Sequence, residues 1–504
     1  MFHRYKSNLV GKGSKTFLFV RYHYLHEEGT YIIFVSSKHL YTMLLILIAY
    51  TLLILAVTFY KQKRGNEAFF TAEKNVSWAM VAFGMLGASL SGISFISVPG
   101  MANSSSFTYM QLVLGFSLGY IIVAKVLLPL YYKLNLTNIY EYLEQRLGSK
   151  SYHTASLFFI LSRGLGSAAR LYVSAFLIHT FIFAPLGIPF PLVAFLMVAF
   201  IYLYTSVGGI HTLVKTDVIQ TIFLLGALVL LLVLAYMGVD GDKISLANET
   251  FMVTDWAAKN NFAKYVLSGM LITVCMTGLD QDMMQKNLTC RTLKEAQKNM
   301  FSYGFMFLPI NFAFLLLGLY VGALFTQNGI SIPAENDMLL PEAVKIGLLP
   351  EVAQYIFIIG IISASLSSAD STFVSLTTTI STTFCPAQIK ENEGKFENFR
   401  KRTHMAVGVF FCLMLLVFYF AESDNMIDLL FQLASYTYGP LLGLYTLSMF
   451  TKININDRYA PLICLLSPLI CWDIQLLTGF ALGYELLLLN GFITFVGLLL
   501  IRKR

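Results

Sequence analysis

The sequence has few charged residues. Asp, Glu, Lys and Arg make up 12% of its 504 residues, hydrophobic residues make up 57%, and the mean hydropathy is +0.68. This composition is too apolar for a soluble protein of such length and predicts an integral membrane protein. The net charge of +7 does not indicate nucleic-acid binding, because the basic residues lie in short connections, where they orient a membrane protein.

Cysteine is scarce as well. The six cysteines form no CxxC pair, and none accompanies His at the spacing of metal ligands; they are Cys275, Cys290, Cys385, Cys412, Cys464 and Cys471. The pattern therefore argues against a disulfide framework and against a zinc site. We expect these cysteines to be packing residues.

Long apolar stretches, by contrast, are abundant. A stretch of about 18 apolar residues or more can cross a bilayer as a helix. Such stretches occupy residues 43–60, 78–100, 109–132, 153–183, 187–207, 214–238, 262–280, 300–326, 350–383, 404–421, 426–450, 459–477 and 483–501. The sequence therefore predicts an all-α integral membrane protein with about 13 transmembrane helices.

Basic residues cluster in alternate connections between these stretches. They follow the first, third, seventh and ninth stretches and recur at the end of the chain: Lys61, Lys63, Arg64, Lys74, Arg146, Lys150, Lys286, Arg291, Lys294, Lys298, Lys390, Lys395, Arg400, Lys401, Arg402, Lys452, Arg458, Arg502, Lys503 and Arg504. By the positive-inside rule, the C-terminus is cytoplasmic. We expect the protein to lie in the plasma (inner) membrane.

The ten stretches from 78 to 450 divide into two sets of five. Five is an odd number of crossings, so residues 78–238 and 262–450 have opposite orientations, as in an inverted repeat. Residues 43–60 form a preceding helix and 459–501 form two additional helices. Residues 1–42 mix basic and aromatic residues without the apolar core of a signal peptide, and we expect a disordered or mis-annotated extension.

A stripe of small and hydroxyl residues surrounds Asp370, the only acidic residue between Val352 and Ile389. Its members recur mostly at steps of three and four: Ala364, Ser367, Ser368, Ser371, Ser375, Thr378 and Thr382. On one face of a helix, such oxygens can replace part of a small cation's water shell. The alternative is that Ser and Thr only allow two membrane helices to pack closely.

Two stretches have the composition of a helix broken within the membrane. Residues 87–100 contain three Gly, one Pro and four Ser, and residues 262–280 contain Ser268, Gly269, Thr273, Thr277 and Gly278. Such residues loosen a helix and free backbone carbonyls to face a cavity, where the carbonyls can bind a cation. Close packing through small residues is the alternative for either stretch.

These residues also carry a resemblance to a known family. Ser91-Gly92 precedes Pro99-Gly100, residues 205–210 read TSVGGI before Thr216-Asp217, Asp280-Gln281 precedes Gln285-Lys286, and residues 364–368 read ASLSS. Over residues 43–500 the chain resembles the sodium:solute symporter family, closest to its bacterial sialic acid transporters. The resemblance implies a leucine-transporter-type 5+5 inverted repeat with broken first and sixth core helices. Lys215 departs from the Trp that the family usually has before Thr-Asp.

The resemblance implies sodium as the coupling ion, in one or two copies. The ligands of the first site, called Na2 in this fold, would be the carbonyls of Gly87, Leu90 and Ala364 and the hydroxyls of Ser367 and Ser368. Neutral oxygens suit a monovalent ion, since clustered carboxylates would favour Ca²⁺ or Mg²⁺. A possible second site would use Asp217, Asp370 and Ser371 beside Ser368. An interfacial ion pair with Lys215 is the alternative for Asp217.

The transported solute is approached through two arginines in the stretch 153–183. A guanidinium within a bilayer is costly unless it is paired or faces a polar cavity. Arg163 and Arg170 are seven residues apart, hence on one face. The resemblance aligns Arg170 with an arginine that binds a substrate carboxylate, and aligns Ser89, Ser91 and Ser94 with polar substrate contacts. An internal pair of Arg170 with Asp217 or Asp428 is the alternative.

Other functions explain less of the sequence. Ser89 with His179 as a base would resemble a serine nucleophile, but that chemistry leaves the stripe around Asp370 unexplained. A channel shares the hydroxyl lining yet needs no substrate arginine. The sequence therefore predicts a transporter that is not an enzyme, works as a monomer in the bilayer, and imports a carboxylate-bearing sugar acid such as sialic acid. A sugar or another small organic solute is the alternative cargo.

Overall fold

The computed structural model describes residues 7–10, 17–22, 31–60, 63–240, 246, 249–421, 426–478 and 485–503. Three short strands lie near the N-terminus: β1 Ser7–Val10, β2 Phe17–Tyr22 and β3 Tyr31–Ser36. They pair antiparallel in the order β1-β2-β3. The expectation of a disordered or mis-annotated extension over residues 1–42 stays a prediction.

Helices make up most of the rest of the described chain. The helices are α1 Ser37–Phe59, α2 Asn66–Thr71, α3 Trp78–Ser89, α4 Gly92–Ser105, α5 Tyr109–Ile122, α6 Leu128–Lys133, α7 Glu141–Arg146, α8 Ser149–Ile178, α9 Phe190–Gly208, α10 Ile210–Gly238, α11 Phe262–Thr273, α12 Gln281–Asn287, α13 Leu293–Gln327, α14 Leu339–Lys345, α15 Val352–Phe384, α16 Ala387–Lys390, α17 Glu393–Ala421, α18 Met426–Phe450, α19 Ala460–Thr478 and α20 Glu485–Leu500. π-helical turns at Val123–Leu127, His179–Phe183 and Val274–Gly278 join α5 to α6 and extend α8 and α11.

Each of the thirteen predicted apolar stretches contains helix. Within the described residues, nine helical spans are long and apolar enough to cross a membrane, and ten are if the bent pair α11–α12 counts as one. Two other helices at predicted stretches are shorter: α3 has 12 residues because a break ends it, and α20 has 16 residues. The chain is therefore a polytopic helical membrane protein, and the count of thirteen crossings stays a prediction.

The first break separates α3 from α4. Leu90 leaves helical geometry with ψ 79°, and Ser91 is extended with ψ 166° before α4 begins. The last hydrogen bond of the first ladder joins Leu90 N to Leu86 O at 2.9 Å, and the next ladder starts with Phe95 N donating to Ser91 O at 3.1 Å. The carbonyls of residues 87–90 therefore lie between two ladders. This is the broken first helix that the Gly, Ser and Pro content predicts.

The second break lies where α11 and its π-turn meet α12, at a bend of 71°. Asp280 stands in the break and caps α12, since its carboxylate accepts hydrogen bonds from Asp282 N at 2.9 Å and Met283 N at 3.2 Å. An acidic cap at a helix N-terminus satisfies free N–H groups and complements the helix dipole. The bend thus falls at the end of the predicted broken segment.

Small residues let these helices approach closely. An ideal Cβ on Gly87 of α3 would lie 2.2 Å from Thr221 Oγ1 of α10, and one on Gly318 of α13 would lie 1.7 Å from the Pro99 carbonyl oxygen of α4. Both glycines therefore sit where backbone meets a neighbouring helix, which is how membrane helices pack without a hydrophobic driving force. As a result, the first break is held against α10, α13 and α15.

Candidate functional site

The first break faces the predicted hydroxyl stripe of α15. An ideal Cβ on Gly87 would lie 3.2 Å from Ser367 Oγ, so this part of α3 touches the stripe. Ala364, Ser367 and Ser368 are buried, and within the described residues Ser368 Oγ has no hydrogen-bond partner. The structure thus brings Gly87 and Ser367 together, and Leu90 lies in the break three residues on. Free carbonyls and a free hydroxyl are the ligand types that a sodium ion needs.

Asp217 forms a buried ion pair with Lys286. Lys286 Nζ donates to Asp217 Oδ2 at 2.7 Å, and both side chains are about 1% exposed. Asp217 Oδ1 accepts a hydrogen bond from Ser367 Oγ at 2.7 Å. The partner of Asp217 is therefore Lys286 of α12 rather than Lys215, whose Nζ donates to the Tyr60 carbonyl oxygen at 3.4 Å. The prediction that Lys286 is one of the basic residues that orient the chain is therefore wrong, because Lys286 is buried in the core.

A second buried carboxylate system joins α8 to α12 and α15. Arg163 contacts Asp282 Oδ2 at 2.8 Å through Nε and at 2.5 Å through Nη2, and it lies 3.8 Å from Asp280. Ser371 donates to Asp282 and Tyr438 donates to Asp280. Two N–H groups of the guanidinium thus share one carboxylate oxygen, and this charge-assisted pair offsets the cost of the arginine within the membrane. Ser371 is thus engaged by Asp282 instead of by Asp217.

Asp370 lies on another side of α15. Its Oδ2 accepts hydrogen bonds from Tyr204 Oη of α9 at 2.6 Å and from Gln220 Nε2 of α10 at 3.3 Å. The carboxylate is fully buried. The possible second sodium site therefore has its three parts in three different surroundings: Asp217 with Lys286, Ser371 with Asp282, and Asp370 with Tyr204 and Gln220.

The serines around the first break contact α13 and each other. Tyr303 Oη of α13 donates to Ser89 Oγ at 2.6 Å and also contacts Tyr120 Oη at 2.9 Å. Ser91 Oγ lies 3.3 Å from Ser94 Oγ and caps α4 by accepting from Ser94 N. Ser89 and Ser94 are partly exposed. The break therefore offers hydroxyls next to a pair of tyrosine hydroxyls.

Arg170 is the uncommitted arginine of α8. Arg170 Nε donates a hydrogen bond to the Gly166 carbonyl oxygen at 3.1 Å. Among the side chains that the structure describes, no carboxylate forms an ion pair with Arg170. Asp217 is paired with Lys286, and the side chain of Asp428 lies outside the described residues. Ser174, one turn further along, donates to the Arg170 carbonyl at 3.3 Å and abuts Gly92, the first residue of α4. Arg170 therefore lies within one helical turn of the break.

The serine-nucleophile alternative does not match this geometry. His179 Nε2 contacts the Ile188 carbonyl at 3.0 Å, while Ser89 is bound by Tyr303.

A cavity of about 340 Å³ between α1, α8, α9 and α15 is lined by Leu47, Ile48, Thr51, Leu52, Ile178, Phe183, Val193, Leu196, Met197, Phe200, Ile362 and Leu366. Because almost all of these side chains are hydrocarbon, the cavity does not suit a polar solute.

Several residues of this site escape the sequence reasoning. Lys286, Asp282, Tyr204, Gln220 and Tyr303 each contact a predicted residue, yet the sequence assigns none of them to the site. For Asp282 a signal exists, since two acidic residues in the segment Asp280-Gln281-Asp282 at the end of an apolar stretch require a buried cation. Tyrosines in apolar helices carry no such signal, because their hydroxyls act only through tertiary contacts.

Comparison with known proteins identifies the family. The model of the sodium:solute symporter family matches residues 69–458. The chain belongs to the sodium:solute symporter family. As a member of it, the protein is a sodium-coupled symporter.

Relatives of this symporter are similar along most of its length. A sodium/sialic acid symporter of Aliivibrio fischeri is 26% identical over 439 residues, with 82% of this chain and 83% of that protein covered. A sodium/sialic acid symporter of Proteus mirabilis is 24% identical over 418 residues, covering 80% and 82%. The solved structure of a Na⁺-coupled sialic acid symporter, in a substrate-bound outward-open state, superposes with a TM-score of 0.78 at 21% identity over 92% of this chain and 98% of that one. The symporter therefore shares that fold.

Proposed function

We propose that this symporter imports a small organic acid bearing hydroxyl or acylamino groups, with a sialic acid as the first candidate. The observation that carries the proposal is Arg170, a cation within a membrane helix that meets no carboxylate among the described side chains. A planar fork of donors suits a carboxylate, and the hydroxyls of Ser89, Ser91 and Ser94 suit a polyol. The relatives from Aliivibrio fischeri and Proteus mirabilis are sialic acid symporters, which agrees with this chemistry.

Sodium would act at the junction of the first break with α15. The carbonyls of Gly87, Leu90 and Ala364 and the hydroxyls of Ser367 and Ser368 would surround the ion, as five neutral oxygens. Ser368 Oγ, which has no partner among the described residues, supports this assignment. A bound ion would hold α3 and α4 against α15, beside the segment of α8 that carries Arg170.

Transport would proceed by alternating access. The ion and solute enter from outside, and closure followed by inward opening releases both into the cytoplasm. Each sodium ion moving down the membrane potential contributes about 2.3 kcal/mol per 100 mV. The number of sodium ions transported per solute therefore sets how far the solute can be concentrated. The proposed frame is a 5+5 inverted repeat with thirteen crossings, a cytoplasmic C-terminus and a monomer in the plasma (inner) membrane. No catalytic residue is assigned.

The test is uptake into proteoliposomes that contain the purified full chain. N-acetylneuraminate, a neutral sugar, an amino acid and a short carboxylate are each offered under an inward sodium gradient, with a potassium gradient as the matched control. We expect saturable uptake of N-acetylneuraminate under the sodium gradient and no such uptake under the potassium gradient. Equal uptake of the neutral sugar would replace the acid by the sugar alternative, and flux that does not saturate would indicate a channel.

A further inference from the structure

The apolar cavity between α1, α8, α9 and α15 lies at the depth of the bilayer's hydrocarbon. It encloses about 340 Å³, and α1 lines it with residues from Leu47 to Leu52. Ile48 is the middle residue of α1, which runs from Ser37 to Phe59. Because the hydrocarbon core of a bilayer is about 30 Å thick, the middle of a spanning helix lies far from the lipid headgroups. An occupant of this cavity is therefore surrounded by hydrocarbon.

The wall of the cavity does not suit water. Among the described residues that line it, Thr51 contributes a hydroxyl, and this hydroxyl donates to the Leu47 carbonyl oxygen at 2.8 Å. A buried water molecule needs about two to four polar partners, and an empty cavity loses the dispersion contacts of its wall. Engineered apolar cavities of about 150 Å³ already bind benzene. The volume and the lining therefore fit a segment of hydrocarbon chain.

The rim of the cavity belongs to the lipid-facing surface. Ile48 and Leu52 of α1 and Leu196 of α9 line the cavity, and they are 54%, 60% and 51% exposed. In a polytopic membrane protein, exposed apolar side chains in the middle of a helix contact lipid tails. Val193 of α9 and Ile362 of α15 form the inner wall and are 1% and 3% exposed. A continuous apolar surface thus leads from the bilayer to buried side chains.

We propose that this cavity binds one acyl chain of a membrane phospholipid, which enters from the surrounding bilayer between α1 and α9. The chain exchanges contacts with other lipid tails for contacts with the wall, so that no polar group is desolvated. Close packing is the favourable term, as it is between membrane helices. This lipid site is separate from the proposed sodium and solute sites.

The bound chain would contact the two helices that carry the candidate site. Leu366 of α15 lines the cavity and directly precedes Ser367. Ile178 of α8 also lines it and lies about two turns after Arg170. An acyl chain here would fill the space behind both helices. It would therefore stabilise the arrangement of α8 and α15 that the structure has.

The experiment is photo-crosslinking of the purified full chain in phosphatidylcholine vesicles, with a diazirine in one acyl chain of a fraction of the lipid. Mass spectrometry locates the adducts after illumination. We expect adducts on Val193 and Ile362 as well as on the exposed Leu230 of α10. Thr51→Trp fills the cavity with an indole and should reduce the inner-wall adducts by roughly tenfold, with those on Leu230 unchanged. Leu45→Trp is the matched control, because it adds the same ring to an exposed position of α1 outside the described wall.

The pattern of adducts decides the outcome. Inner-wall adducts that Thr51→Trp removes and Leu45→Trp keeps would support the lipid site. Adducts confined to exposed residues would overturn it, and so would inner-wall adducts that persist in Thr51→Trp. If Thr51→Trp does not fold, as judged by its thermal unfolding, Met197→Trp adds the same ring from α9 and is held to the same result. Sodium-driven uptake by the wild type is measured separately, so either proposal can fail while the other stands.

Discussion

At the scale of single residues, the charges inside this symporter divide into those that neutralise each other and those left for ligands. Arg163 and Lys286 are held by Asp282 and Asp217. Arg170 has its Nε on a backbone carbonyl and lies within one turn of the break. Since an unpaired charge is expensive within a membrane, we assign the paired residues to the architecture and Arg170 to the solute.

Replacing Arg170 tests that assignment. Removing one partner of a buried charge pair costs about 2–5 kcal/mol, so Arg170→Ala should weaken binding of the acidic solute by roughly 30-fold or more. Arg170→Lys should recover little, because Lys lacks the planar fork. The measurement is the half-saturating solute concentration for uptake, with sodium binding as the control. Normal uptake of the acid by Arg170→Ala would make the arginine structural.

The Asp217–Lys286 pair predicts a stability effect. Breaking a buried ion pair from one side leaves an uncompensated charge and costs about 3–5 kcal/mol. Lys286→Met should therefore lower the thermal unfolding midpoint clearly, and adding Asp217→Asn should restore most of it, since Asn still offers an oxygen to the Ser367 hydroxyl. Additive losses in the double variant would show that the two side chains do not act as a pair.

Sequence reasoning proposes residues for the candidate site but does not find their partners. The hydroxyl spacing leads to Ser367 and Ser368, and the Gly and Ser content leads to the first break, because both patterns are local. The pattern of basic connections predicts a cytoplasmic surface position for Lys286, and it allows an interfacial pair of Asp217 with Lys215. Their contact spans 69 residues of sequence. No local periodicity reports such a contact, which is fixed only when α10 and α12 pack.

At the scale of elements, the two broken helices are the parts that the sequence predicts most directly. The first break falls within residues 87–100, and the second falls at the end of 262–280. The bend at Asp280 was not located from composition, because the carboxylate that caps α12 is a polar residue outside the small-residue pattern. Clusters of glycine, proline and serine predict a helix break, whereas a single acidic residue is the signal for a helix cap.

The tight contact at Gly87 gives a test of the first break. A methyl group there would lie 2.2 Å from Thr221 Oγ1, so Gly87→Ala should push α3 away from α10 at a cost of about 1–3 kcal/mol. Because Gly87 also touches Ser367, sodium affinity should fall. Thr221→Ala removes the clashing oxygen and should restore affinity in the double variant. Unchanged sodium binding in Gly87→Ala alone would separate this contact from the ion site.

At the scale of the whole molecule, the polytopic helical fold follows from composition, and the basic residues predict its orientation. The superposition with a sialic acid symporter, at a TM-score of 0.78, supports the same architecture. Crossing numbers are harder to obtain from hydropathy, because a broken helix such as α3 presents only 12 helical residues. The predicted inverted repeat likewise rests on the count of crossings, because no short motif reports it.

Orientation can be measured by labelling introduced cysteines in intact cells. Glu335 and Lys294 are both exposed, and the positive-inside rule places them on opposite sides of the membrane. We expect a membrane-impermeant maleimide to label Glu335→Cys and to spare Lys294→Cys until the cells are opened. The wild type is the blank, since five of its six cysteines are buried and Cys412 is half-buried. The reverse labelling pattern would invert the predicted topology.

The gap between the ladders of α3 and α4 has a consequence for hydrogen–deuterium exchange. The amides of residues 91–93 follow the last bond of one ladder and precede the first bond of the next, which starts at Phe95 N. We expect these amides to exchange faster than those of α3 or α13 without sodium, and to slow when an ion binds the neighbouring carbonyls. The deuterium uptake of a peptide covering 86–98, measured by mass spectrometry with and without sodium, would thus report ion binding at this site. The measurement does not require the solute to be known.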